Sequence, residues 1–311
     1  MSLRLCISFL FVFILFISCA TSPKTEPVAA DGTPDFSILP SGATLYLWAD
    51  VARAKPLLEA ISPANVSGKN ASQVLDRTDT AMAAFYSEDS SRRFFMAGWG
   101  NYPSFRAGVS MGFSRDWKKI KSATGNRYWH SQRNNLGIAF GSKVAYVSDG
   151  DPFTPGMGSN PSPQGFEEFR RSCVLSGWLN NPASTIDRFI SNLGIPIQIP
   201  AEELFFGAVR APVDTASGDP GKELWDLVLK IRTPSAGQAR SLISLISFAR
   251  IFVLRGAAAD MGEGSLSMMD AAALLLAKMP EQEEEFLVVR MNALSESRIA
   301  LLFAMFPVYS K

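Results

Sequence analysis

The stretch Leu39-Pro-Ser-Gly-Ala-Thr-Leu-Tyr-Leu-Trp-Ala-Asp50 runs directly into Val51-Ala-Arg-Ala-Lys-Pro-Leu-Leu-Glu-Ala-Ile61. Residues 43–49 are apolar and aromatic, which is typical of a β-strand. Asp50 is a preferred N-cap residue and therefore predicts a helix over 51–61. A strand that continues at once into a helix indicates a fold that mixes both kinds of element.

A similar order of elements recurs after residue 172. Residues 173–179 are strand-like and lead into a helix that starts at Pro182, a residue that suits the first helical turn. In both halves an aromatic strand that ends at proline and a partner strand follow, at 94–103 with 107–113 and at 204–212 with 224–232. The order strand, helix, strand, strand, helix therefore occurs twice and predicts a divergent internal duplication.

The first half is longer between its helix and its aromatic strand. We assign the extra residues to a second helix over 71–85, where apolar residues recur at helical spacing. Residues 149–165 are rich in proline and glycine and predict a linker at 151–168. This linker would separate an N-terminal α+β domain, 37–150, from a C-terminal one, 169–311.

The C-terminal third is the more helical part of the sequence. Its pattern predicts helices at 236–254, 265–279 and 295–306 around one strand at 286–291. The predicted fold class is therefore α+β, built from two divergent copies of the strand-helix-strand-strand-helix unit. Each copy would hold an antiparallel sheet, and the C-terminal end would be rich in helix.

The N-terminus has the features of an export signal. Arg4 precedes an apolar run that is too short for a membrane span, so residues 1–18 are assigned to a signal peptide. The stretch Phe16-Ile17-Ser18-Cys19 resembles the lipobox of bacterial lipoproteins, in its relaxed, spirochaete-like form, because Phe16 and Ile17 are bulkier than usual. The resemblance implies a lipid such as palmitate on Cys19, whereas ordinary cleavage after Ala20 is the alternative.

Residues 19–36 would then be a tether between the lipid and the fold, because they are small, polar and rich in proline. Two or three acyl chains are enough to hold a protein at a bilayer. Ala20 and Thr21 lack the aspartate that resembles an inner-membrane retention signal. The expected location is therefore the cell envelope, with the outer membrane or the cell surface favoured over the inner membrane.

Charge and motif content exclude several classes of function. The chain has 30 basic and 29 acidic residues, so its net charge of +1 argues against nucleic acid as a partner. One histidine, His130, and one cysteine left in the mature body, Cys173, cannot form a typical zinc site. We therefore expect no metal and no cofactor, a structural or exposed His130, and a buried, inert Cys173.

Aromatic residues are the side chains that point to binding. Tryptophan and tyrosine are concentrated in the N-terminal half, and their flat amphipathic rings suit contacts with a protein, a peptide or a glycan. Core packing is the alternative role for each of them. The residues assigned to a candidate binding surface are Trp99, Tyr102, Trp117 and Trp129.

The function predicted from these features is that of a lipid-anchored envelope protein without enzymatic activity, acting as a binding or structural module. Its other partner would be the membrane that holds the lipid. The alternatives are a periplasmic or surface hydrolase that uses an acidic pair, and an envelope assembly factor. Beyond its N-terminus the chain resembles only uncharacterised exported bacterial proteins, which implies no activity.

Overall fold

Twelve strands form one antiparallel sheet in the order β11-β12-β10-β9-β8-β1-β2-β3-β7-β6-β5-β4. The computed structural model describes residues 36–61, 69–86, 93–153, 162–183, 187, 200–212, 223–259 and 274–304. The strands are β1 (Leu45–Asp50), β2 (Thr78–Phe85), β3 (Phe94–Gly100), β4 (Trp117–Lys121), β5 (Arg127–Ser131), β6 (Leu136–Phe140), β7 (Val144–Ser148), β8 (Leu175–Asn180), β9 (Glu203–Arg210), β10 (Trp225–Arg232), β11 (Glu281–Glu283) and β12 (Phe286–Leu294).

Helices flank this sheet. A 3-10 turn at Phe36–Ile38 begins the described fold. The described α-helices are α1 (Val51–Ile61), α2 (Lys69–Leu75), α3 (Ser104–Phe113), α4 (Phe166–Arg171), α5 (Ala236–Ala259) and α6 (Glu296–Ala304). Within the described residues, no helix has both the length and the apolar character needed to cross a bilayer.

The predicted fold class is wrong in its architecture. β1 pairs with β2 on one side and with β8 on the other, so strands from both halves of the chain belong to one sheet. The C-terminal third is also less helical than predicted, because it contributes β10, β11 and β12 to that sheet. The sequence pattern identifies single strands but not the pairing of β1 with β8, which depends on contacts between distant residues.

β1 and β8 lie together at the centre of the sheet. β2 and β3 follow outward on one side, and β9 and β10 follow outward on the other. The two predicted copies do not share their order of elements, because 107–113, the partner strand assigned to the first copy, belongs to helix α3; the internal duplication stays a prediction. The division into domains at 37–150 and 169–311 also stays a prediction, and 154–161 of the linker lie outside the described residues.

The local interpretation of the opening stretch is confirmed. β1 and α1 follow each other without a gap, and the backbone N–H of Arg53 donates a hydrogen bond of 3.2 Å to Oδ1 of Asp50. This contact is the N-cap bond that the sequence predicts.

The predicted helix at 71–85 is wrong over most of its length. Only its start lies in α2, and residues 78–85 form β2 between β1 and β3. Alanine and methionine favour helix, but this preference is weak compared with pairing on both sides in a sheet. The small Ala81 and Ala83 also leave room for α1, which packs on β2.

The predicted strand at 107–113 is also wrong, because these residues belong to α3. β3 has β7 as its outer neighbour, which leaves no position beside it for a strand from 107–113. Further along, α5, β12 and α6 form at the predicted sites. Residues 260–273, which include most of the predicted helix at 265–279, lie outside the described residues.

The two faces of the sheet bury different cores. One face, here called the helix face, carries Leu47 and Phe206 and packs against α1 and α6. The opposite face, here called the aromatic face, carries Tyr46, Trp178 and Phe205, which are covered by the 3-10 turn and α4. Cross-strand partners point to the same side of a sheet, so the register assigns every strand residue to one of these faces.

Candidate functional site

The four aromatic residues of the predicted binding surface do not share one face of the sheet. Trp99 packs against the core of the aromatic face, and its buried indole N–H has no hydrogen-bond partner among the residues that the structure describes. Trp129 lies on the helix face, because register links it through Ile138, Val147 and Met96 to that side. Trp117 pairs with Ser131, two residues from Trp129, and therefore lies on the helix face as well.

Tyr102 is a partly buried residue with a structural hydrogen bond. The hydroxyl of Thr78 donates to the carbonyl oxygen of Val74 at 2.8 Å, so the Tyr102 hydroxyl is the donor in its own 2.8 Å bond to Thr78. Burial raises the pKa of Tyr102 above its ordinary value. Its hydroxyl also lies across Gly98, where a Cβ atom would come within 2.5 Å of it. Of the four residues, Trp117 and Trp129 lie on the same face of the neighbouring strands β4 and β5.

Helix α3 rests on Trp129 through glycines. A Cβ atom at Gly108 would lie 3.8 Å from the indole of Trp129, and one at Gly112 would lie 3.4 Å from it. From the opposite strand, the Lys119 ammonium lies 5.8 Å from the Trp129 ring centre, within the range of a cation–π contact. None of the residues of α3 is buried, so this helix covers the sheet without becoming part of the core.

The apolar side chains of α3 face solvent. Phe105 is 50% exposed, Val109 is 42% exposed and Phe113 is 88% exposed. Their four-residue spacing puts them in one stripe, turned about 80° around the helix from the glycines. Ile120 of the edge strand β4 is also exposed, but it pairs with Tyr128 and therefore lies on the aromatic face, away from this stripe. The exposed apolar stripe of α3 marks a contact surface.

The same part of the chain is strongly basic. Residues 101–135, which comprise α3 and the β4–β5 hairpin and are called the basic edge below, hold seven basic residues and one acidic residue, a net charge of +6. The remainder of the chain holds 23 basic and 28 acidic residues, a net charge of −5. Seven exposed cations line the basic edge, namely Arg106, Arg115, Lys118, Lys119, Lys121, Arg127 and Arg133.

The single carboxylate of the basic edge is used to hold the hairpin. Asp116 accepts hydrogen bonds from the Ser131 hydroxyl at 2.7 Å and from the backbone N–H of Arg133 at 3.2 Å. Within the described part of the chain, none of the seven cations forms an ion pair. Their charge is therefore open to an external anion.

The opposite edge of the sheet is arranged differently. Arg290 pairs there with Glu281 at 2.9 Å and with Glu283 at 2.7 Å, and Lys230 pairs with Glu283 at 3.1 Å. Arg290 is the main reason that the pKa of Glu283 lies below its ordinary value. Cations at this edge are thus neutralised by neighbouring carboxylates, in contrast to those of the basic edge.

The residues considered for catalysis have ordinary structural settings. His130 packs edge-on against Tyr128 and its Nε2 lies 3.4 Å from the side-chain oxygen of Asn135. Cys173 is buried, and burial raises the pKa of its thiol, which favours the inert form. The described residues contain no group of histidine, cysteine and acidic side chains suited to a metal ion. Cys19 lies outside the described residues.

Sequence reasoning found part of the basic edge and missed the rest. It selected Trp117 and Trp129, but it assigned 107–113 to a strand and so missed the apolar stripe of α3. The run Lys118-Lys119-Ile120-Lys121 predicts a contact with anionic lipid or cell-wall groups, or else a solvated surface, but the excess of charge over the whole of 101–135 was missed because a net charge of +1 for the whole chain conceals it. Counting charges in windows would have found it.

Comparisons with known proteins connect part of this chain to an envelope protein. Residues 32–151, which include the basic edge, match the model of a family described as "Outer membrane-associated lipoprotein TP0453". Outer membrane protein TP0453 of Treponema pallidum (strain Nichols) is 28% identical over 101 residues, which are 32% of this chain and 34% of that protein. The match therefore spans about a third of the length of the curated relative.

Solved structures of TP0453 have a similar fold. Crystal form I gives a TM-score of 0.55 at 15% identity and covers 89% of this chain and 99% of that one. Crystal form III gives 0.54 at 15% identity, with coverage of 88% and 99%. At this level of identity the likeness concerns the fold alone.

These matches confirm the predicted location, which is the cell envelope with the outer membrane favoured. They also support the broader prediction of a lipoprotein of this type. The lipobox at Phe16–Cys19 and the role of the four aromatic residues stay predictions.

Proposed function

We propose that this chain is a non-catalytic lipoprotein, anchored through Cys19, whose folded body contacts an anionic membrane surface with the basic edge. The observation that carries the proposal is the union of exposed apolar side chains and unpaired cations within residues 101–135. Proteins that bind at a membrane interface usually insert apolar groups into the headgroup region. Basic groups beside them contact anionic lipid. The name of the TP0453 family supports a place at the outer membrane.

The basic edge carries a larger excess of positive charge than another exposed apolar patch, on helix α5. That helix exposes Leu245, Phe248 and Ile251 and holds three arginines and no acidic residue, a net charge of +3 against the +6 of the basic edge. At the basic edge, Lys119 and Lys121 of β4 lie on the same face of the sheet as α3, and within the described residues neither forms an ion pair. Each cation near an anionic surface contributes about 1 kcal/mol, and burial of a phenylalanine side chain contributes about 1.5–3 kcal/mol.

The test uses the mature chain with Cys19→Ser, so that lipid does not dominate binding. We expect it to cosediment with anionic vesicles, more weakly at high salt, and to bind zwitterionic vesicles poorly. Neutralising β4 with Lys118→Gln, Lys119→Gln and Lys121→Gln should weaken anionic-vesicle binding by up to about 100-fold, the equivalent of about 3 kcal/mol.

A matched control removes three exposed cations elsewhere, through Arg240→Gln, Lys278→Gln and Arg298→Gln. This variant has the same net charge as the β4 variant but should bind vesicles nearly as the parent does. Equal loss in both variants would mean that total charge, and not the basic edge, governs binding. The anchor has a separate test, because intact mass should show acyl groups on Cys19, whereas an unmodified N-terminus at Thr21 would refute lipidation.

A further inference from the structure

One edge of the sheet has backbone groups that no described strand covers. Strand β4 pairs with β5 on its inner side, and among the described residues no strand lies on its outer side. The other edge strand, β11, has three residues, and the side chain of Gln282 at its middle donates a hydrogen bond of 3.1 Å to the carbonyl oxygen of Ala236 in α5. β4 is therefore the edge with the longer free backbone.

The hydrogen-bond register shows which backbone groups of β4 face outward. One position beyond the last pair of the β4–β5 ladder, the backbone N–H of Ser122 donates a hydrogen bond of 2.8 Å to the carbonyl oxygen of Asn126. Hydrogen-bonded pairs alternate with non-hydrogen-bonded pairs in an antiparallel ladder, so Ile120 and Lys118 bond to β5. The N–H and C=O groups of the other residues of β4 point away from the sheet, namely those of Trp117, Lys119 and Lys121.

The neighbouring ladders give the same assignment. At the turn from β6 to β7, the backbone N–H of Gly141 donates a hydrogen bond of 2.7 Å to the carbonyl oxygen of Val144. Followed back through the β6–β7 and β5–β6 registers, this bond assigns Trp129 to the ladder with β6 and its two neighbours in β5 to the ladder with β4. Those neighbours are the cross-strand partners of Lys118 and Ile120.

Positive charge lies on both sides of this edge. Lys118 lies on the aromatic face, as Ile120 does, whereas Lys119 and Lys121 lie on the helix face. The ammonium of Lys118 donates a hydrogen bond of 3.2 Å to the neutral side-chain oxygen of Gln132. Within the described part of the chain, none of these lysines forms an ion pair.

From this edge we propose that β4 binds an extended acidic segment of a partner protein, which joins the sheet through main-chain hydrogen bonds. Lysines on an edge strand prevent pairing between identical copies, but an acidic strand would place opposite charges across the ladder. Strand addition of this kind takes its affinity from main-chain hydrogen bonds and its specificity from alternate side chains. The inference goes beyond the proposed function, because it uses the outward backbone of β4, whereas membrane contact uses side-chain charge and the apolar stripe of α3.

The register also specifies the sequence pattern of the bound segment. Cross-strand partners share a face of the sheet, so an acidic residue belongs opposite each lysine of β4 and an apolar residue opposite Ile120 and Trp117. Read antiparallel to β4, the pattern of the segment is acidic, apolar, acidic, acidic, apolar.

The test titrates the mature chain with Cys19→Ser, in the absence of lipid, with a synthetic peptide of this pattern, acetyl-SEVEEVS-amide. A matched peptide carries N-methyl groups on the amides that would face β4, so it keeps the charge and loses the donors. Two variants of the protein, Lys119→Pro and Lys119→Gln, both lose one charge, but only proline removes the outward N–H. Proline is tolerated on an edge strand where its N–H would face solvent, so the β4–β5 ladder should stay intact.

We expect the acidic peptide to bind the parent chain, and the N-methylated peptide to bind at least about 10-fold more weakly, because it loses its main-chain hydrogen bonds. Lys119→Pro should bind the acidic peptide about 10-fold more weakly than Lys119→Gln does, because proline lacks the donor and adds a ring at the edge. In the complex, amide exchange should slow at Lys119 and Lys121, whereas Lys118 and Ile120 should be protected with and without peptide.

Equal binding of the two peptides would mean that β4 offers charge alone, as it would to an anionic headgroup, and would overturn strand addition. Absence of binding by the acidic peptide would overturn it as well. The comparison of the two peptides uses the parent chain and does not depend on the folding of Lys119→Pro. Vesicle binding by the same parent chain tests the proposed function separately, so failure of one proposal is distinguishable from failure of the other.

Discussion

Two phenylalanine-to-alanine substitutions separate the core of this protein from its surface contact. Phe36→Ala removes a ring that is 1% exposed and packed between Trp178 and Phe166, whereas Phe113→Ala removes one that is 88% exposed. Loss of a buried phenylalanine costs about 3–5 kcal/mol, while changes at exposed sites stay within about 0.5 kcal/mol. The chemical change is the same in both variants, so burial alone should decide the outcome.

The assay is urea unfolding of the Cys19→Ser chain, with vesicle binding measured on the same samples. Phe36→Ala should lower the free energy of unfolding by about 3–5 kcal/mol, or the melting temperature by about 6–20 °C, and leave vesicle binding intact while the protein is folded. Phe113→Ala should leave unfolding unchanged and weaken vesicle binding about 10-fold or more. An unchanged stability of Phe36→Ala would refute the burial of this ring in the core of the aromatic face. A loss of stability in Phe113→Ala would refute the exposure of the α3 stripe.

Two further substitutions test neighbouring parts of the account. Gly112→Ala places a Cβ atom 3.4 Å from Trp129, which is a van der Waals contact. Because alanine is more favourable than glycine in a helix, the variant should stabilise α3 by about 0.5–1 kcal/mol. Faster amide exchange in α3 would contradict this expectation. Glu283→Gln removes a carboxylate whose pKa is lowered chiefly by Arg290 and also by Lys230. A carboxylate whose pKa is lower in the folded state stabilises the fold at pH values above its unfolded pKa of about 4.3. Glu283→Gln should therefore lower the free energy of unfolding by about 0.5 kcal/mol at pH 7. This difference should vanish as the pH falls from 5 toward 3, and a constant difference would exclude the ion pair as its cause.

Local features were predictable where the sequence itself contains the determining contact. The strand at 43–49, the Asp50 cap and the helix at 51–61 depend on neighbouring residues, and the structure contains all three. Residues 78–85 were not predictable in this way, because an alanine-rich segment becomes a strand only between two partners. The pairing of β1 with β8, which turns the sheet into one body, also depends on residues far apart in the chain.

The candidate site was predictable in part for the same reason. Trp117, Trp129 and the lysines of β4 could be selected by residue type alone. The apolar stripe of α3 could be recognised only after 104–113 is known to be a helix, since Phe105, Val109 and Phe113 align at helical spacing. Trp99 was assigned to the same surface because sequence distance does not specify which side of a sheet a residue occupies.

Hydrogen exchange on the full lipidated chain tests the membrane contact most directly. The protein would be compared in anionic and in zwitterionic vesicles, with amide exchange followed along all described elements. Contact of the basic edge with anionic lipid should slow exchange in anionic vesicles within residues 104–131, from α3 through β5, and leave exchange in β10 and β12 unchanged. Equal exchange of residues 104–131 in both lipids, or protection confined to another part of the sheet, would contradict it.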